Sequence, residues 1–548
     1  MMCMRLNASD RSRPAVRRHS WWVAGLTLVL LVAGDWHQAM IGFDSRFVVF
    51  AQEMLRHGPG FFPTTYGAPY PDYSAASTWL VYALSLPFGQ VNRFTAWLPS
   101  ALAAACTALL IYRLLAGYCQ RWALLAVAWM LLSVTFISEA RAVSLDLMLA
   151  AIALAVFYLA YAADHFAAPR RTLALVALLV LGFAVRGPIG LVIPTGMLCS
   201  YYLLSGQYRR LFGFGFMALA LLLGCIGLLL WLADISGGPS FVSEVVRMQV
   251  IGRLDGSEGA SSASYYFISA WGNYALAYPF AVAVLAVAAW QWRQPRGAAL
   301  RLLGWCAAAG LLVMLGLSIP QAKKARYLLP MLPMAAIVAA YPFAVLPGPD
   351  ALNGRGWAIL RGIAQLVWLV LPGLLIAGLL LGRQRLPEAF VPLGVVLSLL
   401  GLLQVLAAAA LMSRPGLRAI GLAGGAVAAV WASYILVVEP VQRRLYDTRS
   451  LTQAVLQRLD AQPAALVLYG MGKDAKAIKF MVNANRDLKP LFADSPEQLQ
   501  RLPTPAWLML GARDYGALQS HWARPPAAVL SGRFDNEDYL LVWLEEAL

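Results

Sequence analysis

Three ionisable residues sit where their chemistry is expensive. The stretch "VTFISEARAVSLDLMLAAIAL", residues 134–154, carries Glu139, Arg141 and Asp146 among side chains that a lipid bilayer would accept. Ionisable groups inside or at the edge of a membrane are costly, and they mark a site or a pathway by default. Asp146 follows Arg141 by five positions, so on a helix beginning near Ala142 it would face inward about one turn down. Two readings stay open for it: an ion pair with an arginine that stabilises the bundle, or a group that orients a substrate.

A second carboxylate opens "GFDSRFVVFAQEMLRHGPGFFPTTYGAPYPDYS", residues 42–74. Phe43, Phe47, Phe50, Met54 and Leu55 recur at helical spacing, which predicts an amphipathic helix lying in the membrane interface. Asp44 stands at its start, where a carboxylate can cap free N–H groups and meet the positive end of the dipole. It is either that cap or a base. Farther on, residues 234–270 hold Glu244, Arg247 and Arg253 in a helical stretch followed by a Gly/Ser-rich linker. These are either a lid over substrate or a solvated charged face, and Tyr265-Tyr266 reads as an interfacial anchor.

The elements that must position these residues are membrane helices. The 548 residues are 60% hydrophobic and 13% charged, against roughly 25% charged in soluble domains, which excludes a soluble enzyme. The net charge of +16 belongs to short basic loops rather than to a nucleic-acid surface. Thirteen segments are apolar enough to span: 21–40, 92–113, 122–137, 143–162, 172–187, 189–205, 211–232, 271–291, 299–318, 326–346, 361–382, 388–412 and 416–437. With the N-terminus cytoplasmic, the inside connections hold Arg113 and Arg121, Arg170 and Arg171, Arg209 and Arg210, Arg293, Arg296 and Arg301, Arg355 and Arg361, and Arg414 and Arg418. That is the positive-inside pattern. A single kinked span at Gly187-Pro188 would break it, so two spans are expected there.

The long connections, 41–91 and 234–270, then lie outside with the C-terminus, and the charges collect at that one face. ATP and nucleotide sugars are absent from that compartment, which limits donors to those already carried across. Basic Met1–Ser20 precedes a run without a small-residue cleavage site, so the first span is expected to be retained. The six cysteines (Cys3, Cys106, Cys119, Cys199, Cys225, Cys306) have no metal-ligand spacing, and no histidine cluster follows His57 in the outside loops. No cofactor is expected, and a divalent metal has no ligand set to support it.

Beyond about residue 439 the composition turns polar. "AALVLYG", "AWLMLGA" and "YLLVWLEE" predict buried strands and "LTQAVLQRL" an amphipathic helix, which makes a small α/β domain over 439–548. Its "YGMGKDA" lacks the spacing of a phosphate loop.

Four stretches resemble one family in order. Asp44 before an amphipathic helix, then Gly58, "FFP" and "GAPY", is similar to the first periplasmic loop of the GT-C glycosyltransferases that use polyprenyl- or dolichyl-phosphate sugars. These include the protein O-mannosyltransferases and the 4-amino-4-deoxy-L-arabinose transferases of lipid A. "ARAVSLDLML" resembles the family's Arg-x4-Asp turn. "LGFAVRGPIGLVIP" resembles its Lys-Gly-Pro turn, with Arg186 in the lysine place. "SIPQAKKARYLLPMLP" resembles its Ser…Lys…Tyr-x-Leu-Pro segment. Two departures stand out: Ser45 where the family has Glu, and Asp72-Tyr73-Ser74-Ala75 where the arabinose transferases have Glu-Lys-Pro-Pro.

The resemblance implies an all-α polytopic fold over 1–438 with the small outer domain behind it. It also implies transfer of a sugar from undecaprenyl phosphate to a lipid A-type acceptor at the periplasmic face of the inner membrane. Asp44 and Asp146 are the expected catalytic carboxylates. Arg141, Arg186, Lys323, Lys324 and Arg326 are the expected phosphate ligands, and Asp72, Tyr73, Glu244 and Arg247 the substrate loops. O-antigen, another glycolipid or a protein is the alternative acceptor. A transporter or flippase is the alternative class, though the chain shows no internal repeat.

Overall fold

The structure, a computed structural model, describes residues 14–34, 40, 45–71, 76–252, 255, 259–291, 297–346, 352, 354–522 and 525–545. Asp44, Asp72, Tyr73 and Arg253 lie outside the described residues.

The first half runs α1 (Pro14–Val32), α2 (Ser45–His57), a two-stranded ribbon β1 (Thr64–Thr65) and β2 (Ala68–Pro69), then α3 (Ala76–Ser85), α4 (Arg93–Ala116), α5 (Gln120–Leu131), α6 (Val134–Ala140), α7 (Leu145–His165), α8 (Thr172–Arg186), α9 (Pro188–Leu204) and α10 (Tyr208–Val246). The rest of the membrane part is α11 (Tyr265–Asn273), α12 (Ala277–Gln291), α13 (Ala298–Ser318), a 3-10 stretch over Ala325–Met331, α14 (Leu332–Ala340), α15 (Arg355–Arg385), α16 (Gly394–Ala410) and α17 (Pro415–Ser433).

Among the described residues, each of the thirteen predicted segments overlaps one or more of these elements. Among the described residues, seven helices are long and apolar enough to cross a membrane, or nine if each of two bent pairs is one span. The bent pairs are α5–α6 (75°) and α11–α12 (111°). The chain is a multi-pass membrane protein.

Gly187 divides α8 from α9. Its φ of +65° and ψ of −152° cost a glycine little and would strain any other residue. The two helices fold back on each other so closely that a Cβ at Gly190 would stand 1.9 Å from the carbonyl oxygen of Gly182. This hairpin is what fixes the position of Arg186 at the end of α8.

The tail carries α18 (Glu439–Leu445), α19 (Arg449–Ala461), β3 (Ala465–Tyr469), α20 (Ala477–Ala484), β4 (Leu491–Ala493), β5 (Ala506–Gly511), β6 (Ala528–Phe534) and β7 (Glu537–Leu544). Its sheet has the order β4-β3-β5-β7-β6, parallel across β4-β3-β5 and antiparallel thereafter. β3, β5 and β7 are the three predicted strands and α19 the predicted helix. β4 and β6 escaped prediction: one is three residues long, and the other alternates exposed and half-buried positions.

α2 joins the two parts. Its expected apolar residues Phe47, Phe50 and Met54 are buried, but so are the polar Gln52 and Glu53, at 5% and 1% exposure. Rather than lying open on the membrane interface, the helix is covered on both sides. One apolar cluster runs from Val143, Leu145, Met148 and Val185 of the bundle through Phe47 and Phe50 to Ile478 and Met481 of α20. Gln52 donates to the Val482 carbonyl (3.1 Å) and Arg56 to Asn485 Oδ1 (3.0 Å).

Candidate active site

The site is built where α7 begins and α8 ends. Ser144 caps α7, accepting from the Leu147 amide (3.3 Å), while its own amide donates to Ser100 Oγ (2.9 Å) and its hydroxyl to Glu139 Oε2 (2.5 Å). Asp146 follows in the first turn, a favourable place for a carboxylate, at 4% exposure. Arg186, the last residue of α8, is as well placed for a cation at a helix C-terminus.

The two meet as a fork. Arg186 Nε donates to Asp146 Oδ1 (2.8 Å) and Nη2 to Oδ2 (3.3 Å), the two-pronged geometry that favours guanidinium over ammonium. A second cation, Arg326, brings Nε to 3.4 Å from Oδ2 and is the more open of the pair, its side chain 22% exposed against 5% for Arg186. The Tyr327 ring lies 4.9 Å from the Arg186 guanidinium carbon and 5.9 Å from that of Arg326, within cation–π reach. Two guanidinium groups thus converge on one carboxylate.

The segment carrying Arg326 is pinned from several sides. Tyr274 donates to the Ala325 carbonyl (2.8 Å), Ser261 to the Gln321 carbonyl (3.1 Å), and Lys323 Nζ to the Ser261 carbonyl (3.0 Å). These bonds tie the predicted Lys323–Arg326 group to the residues on either side of α11. Glu244 and Arg247 are exposed on the continuation of α10 beyond its break at Gly238-Pro239. That continuation packs Phe241 against Phe62 of the first loop at 5.0 Å.

Arg141 goes elsewhere. Nε and Nη2 donate to Glu439 (3.1 and 2.8 Å), and Nη1 to the carbonyls of Leu31 and Ala33 (2.7 and 2.6 Å). Arg93 also donates to Glu439, Arg443 stands 3.5 Å from it, and all three guanidinium groups lie within 5.7 Å of the Trp97 ring centre. Every donor-bearing arm of Arg141 is committed, and the cluster fastens the end of α1 and the start of α4 to α18. Sequence reasoning missed Glu439. Its one signal was a lone acid directly after a long apolar run.

Charges do not collect at one face alone. At the far end of α7, Asp164 accepts from Arg210 (2.6 Å), Tyr201 (2.9 Å) and Gln207 (3.1 Å). From Asp146 to Asp164 is eighteen residues, so this second group lies ~27 Å away along the helix. Both groups sit at helix ends.

Where the first loop meets the tail, Arg46 lies 5.3 Å from the Tyr70 ring and donates to the Asp474 carbonyl (3.5 Å). Asp44 and Asp72 are each two positions in sequence from this Arg46–Tyr70 contact. Tyr66 donates to the Lys473 carbonyl (2.8 Å), and burial holds its hydroxyl above the usual range, which keeps the proton it donates. Among the described residues no three His, Cys, Asp or Glu stand together as a metal site would need.

By architecture the chain is similar over its whole length to ArnT from Cupriavidus metallidurans. The undecaprenyl phosphate-bound crystal structure matches with a TM-score of 0.65 at 17% identity, covering 96% of this chain and 97% of that one. The apo structure matches with a TM-score of 0.67 at 17% identity, covering 97% and 98%. The fold is that of the GT-C glycosyltransferases. Residues 16–233 match the family described as dolichyl-phosphate-mannose-protein mannosyltransferase, the stretch that contains α2, the Ser144–Asp146 turn and Arg186. No curated protein matches this chain by sequence. Both matches fall on the enzyme class that the four motifs resemble.

Proposed function

We propose that this chain is a membrane glycosyltransferase that moves a sugar from undecaprenyl phosphate to a lipid A-type acceptor at the periplasmic face of the bacterial inner membrane. The observation that carries the reading is the convergence of Arg186 and Arg326 on Asp146, at the end of the bundle covered by α2 and the tail. The division at 438/439, with the tail on the periplasmic side and the N-terminus inside, is part of the proposal, and the basic inside connections support it.

In the step, the bond from the sugar's anomeric carbon to the donor phosphate oxygen breaks, and a bond to the acceptor oxygen forms. The leaving lipid phosphate gains negative charge, which fixed guanidinium and ammonium groups stabilise. Arg326, Arg186, Lys323 and Lys324 take that role. Asp146 is a positioning residue, because its oxygens are occupied in holding the arginines. Asp44 takes the proton of a hydroxyl acceptor; a phosphate acceptor has none to give. Arg141 is left to the Glu439 cluster. Asp72, Tyr73, Glu244 and Arg247 line the approach of substrate, with the segment after Gly238 closing over it.

Mass spectrometry of lipid A and surface glycans from cells with and without the gene tests the acceptor. Lipid A lacking one sugar in the deleted strain is expected. An unchanged lipid A beside altered O-antigen or glycoprotein would keep the chemistry and replace the acceptor.

A further inference from the structure

The loop "YGMGKDAK", residues 469–476, plays no part in the transfer step. It follows β3 inside the tail's sheet, where the connections of the chain part. Leaving β3, the chain turns through α20 to β4 on one side. Leaving the neighbouring parallel strand β5, it turns through the helix Ala512–Leu518 to β6 and β7 on the other. The two helices cover opposite faces: α20 packs with Leu466 and Leu468, whereas Leu518 packs with Val467 and Leu508. A crevice therefore opens between the carboxyl ends of β3 and β5, the place where open α/β sheets bind ligands.

A polar hollow of about 610 Å³ lies there. Gly470 takes a φ of +66° as the chain leaves β3, a conformation that favours glycine. A Cβ at Gly470 or at Gly511 would stand 3.1 Å from Asp514 Oδ2, so the two glycines leave that carboxylate room between the strand ends. Arg513 and Arg533 line the same hollow, both exposed, and neither pairs with a carboxylate among the described residues. Lys476 donates to Glu537 Oε2 (2.5 Å) and Arg533 to Asn536 Oδ1 (2.5 Å). A second hollow of about 430 Å³ shares Lys476 and is lined also by Arg46, the second residue of α2 and two positions from Asp44.

The first hollow sets three cations, Lys476, Arg513 and Arg533, against three carboxylates, Asp514, Glu537 and Asp538. Such a wall suits a free phosphate poorly, because a phosphate only accepts and the carboxylates repel it. It suits sugar hydroxyls, each of which can donate to a carboxylate while accepting from a guanidinium or ammonium group. We infer that this crevice is a subsite for the saccharide head of the acceptor, held at the carboxyl ends of β3 and β5 by Asp514 and Arg513. The second hollow leads from it to the start of α2. The assignment rests on the reading of the chain as a transferase whose acceptor carries a glycan. It divides the work: Arg186 and Arg326 meet the charge of the donor, and the tail meets the hydroxyls of the acceptor.

The test is saturation-transfer NMR on the full chain, in a detergent without a sugar head, with N-acetylglucosamine disaccharide as the probe and inorganic phosphate as competitor. The disaccharide is expected to bind and to stay bound at equimolar phosphate. Arg513→Gln and Asp514→Asn should each weaken it about tenfold, the loss of one hydrogen bond to a charged group. Arg458→Gln, in the helix that leads into the start of β3, should leave it unchanged. Thermal unfolding separates loss of the subsite from loss of the fold, and the exposed Arg513 keeps the test open if Asp514→Asn unfolds. No binding by the wild-type chain, Arg513→Gln that binds as wild type, or displacement by equimolar phosphate would each overturn the assignment. Transfer assays keep the two readings apart. Disaccharide bound at Arg513 by a chain that transfers no sugar would keep the subsite and refute the transferase. Transfer by Arg513→Gln at an unchanged acceptor KM would keep the transferase and overturn the subsite.

Discussion

Arg186 Nε lies 2.8 Å from Asp146 Oδ1, so the last residue of one short helix is locked to the first turn of another. Both side chains are about 95% buried. A pair in this setting is stabilising only while both partners are present.

Asp146→Asn is therefore expected to lower stability by about 3–5 kcal/mol, through the guanidinium it strands, and to lower transfer as Arg186 and Arg326 lose their anchor. Arg326→Ala is the informative companion. Being partly open, it should cost less than about 1 kcal/mol of stability yet reduce turnover about 10²–10³-fold if it stabilises the leaving phosphate. Thermal unfolding in detergent beside single-turnover transfer separates the two. An Arg326→Ala enzyme with normal turnover would remove it from the donor site.

Glu439→Gln tests the second cluster. It leaves Arg93, Arg141 and Arg443 around a neutral amide, and a destabilisation of about 3–5 kcal/mol is expected. Activity per folded molecule should hold, since none of these groups is assigned to substrate. Transfer lost at full stability would return Arg141 to the donor site.

Gly190→Ala asks whether the α8–α9 hairpin places Arg186. The added methyl would meet the Gly182 carbonyl at 1.9 Å and the Arg186 Cβ at 3.2 Å. The helices must separate, so stability and turnover are expected to fall together, stability by roughly 1–3 kcal/mol. The readouts are thermal unfolding and kcat; unchanged values would mean that the hairpin tolerates separation.

The legible parts of the molecule were those with local causes. Asp146 and Arg186 stood out because charge in apolar sequence is costly, and β3, β5 and β7 because buried strands read as short apolar runs. β6 did not, because its burial alternates weakly on an edge. The cover over α2 was illegible because it comes from α20, some 430 positions away at the Gln52–Val482 bond. The amphipathic pattern showed one apolar face, and no pattern within thirteen residues could announce that a second domain covers the other. Glu439 was passed over for a like reason: its three cations come from α4, from the turn after α6 and from its own helix.

Asp44→Asn distinguishes a cap from a base. Asparagine caps about as well as aspartate, so a cap alone would leave turnover near normal. A base would lose about 10²–10⁴-fold, with donor binding intact. That loss is expected. Near-normal turnover would move the search for the carboxylate to Asp72.

The most direct measurement is transfer by the purified chain in sealed vesicles, supplied with lipid A and with undecaprenyl-phosphate sugars labelled in the sugar. The expected result is label covalently attached to lipid A, formed with the wild-type chain and reduced about 10²–10³-fold with Arg326→Ala. Donor that crosses between leaflets with its sugar–phosphate bond unbroken, and no labelled lipid A or other glycan product, would contradict it and make the chain a transporter.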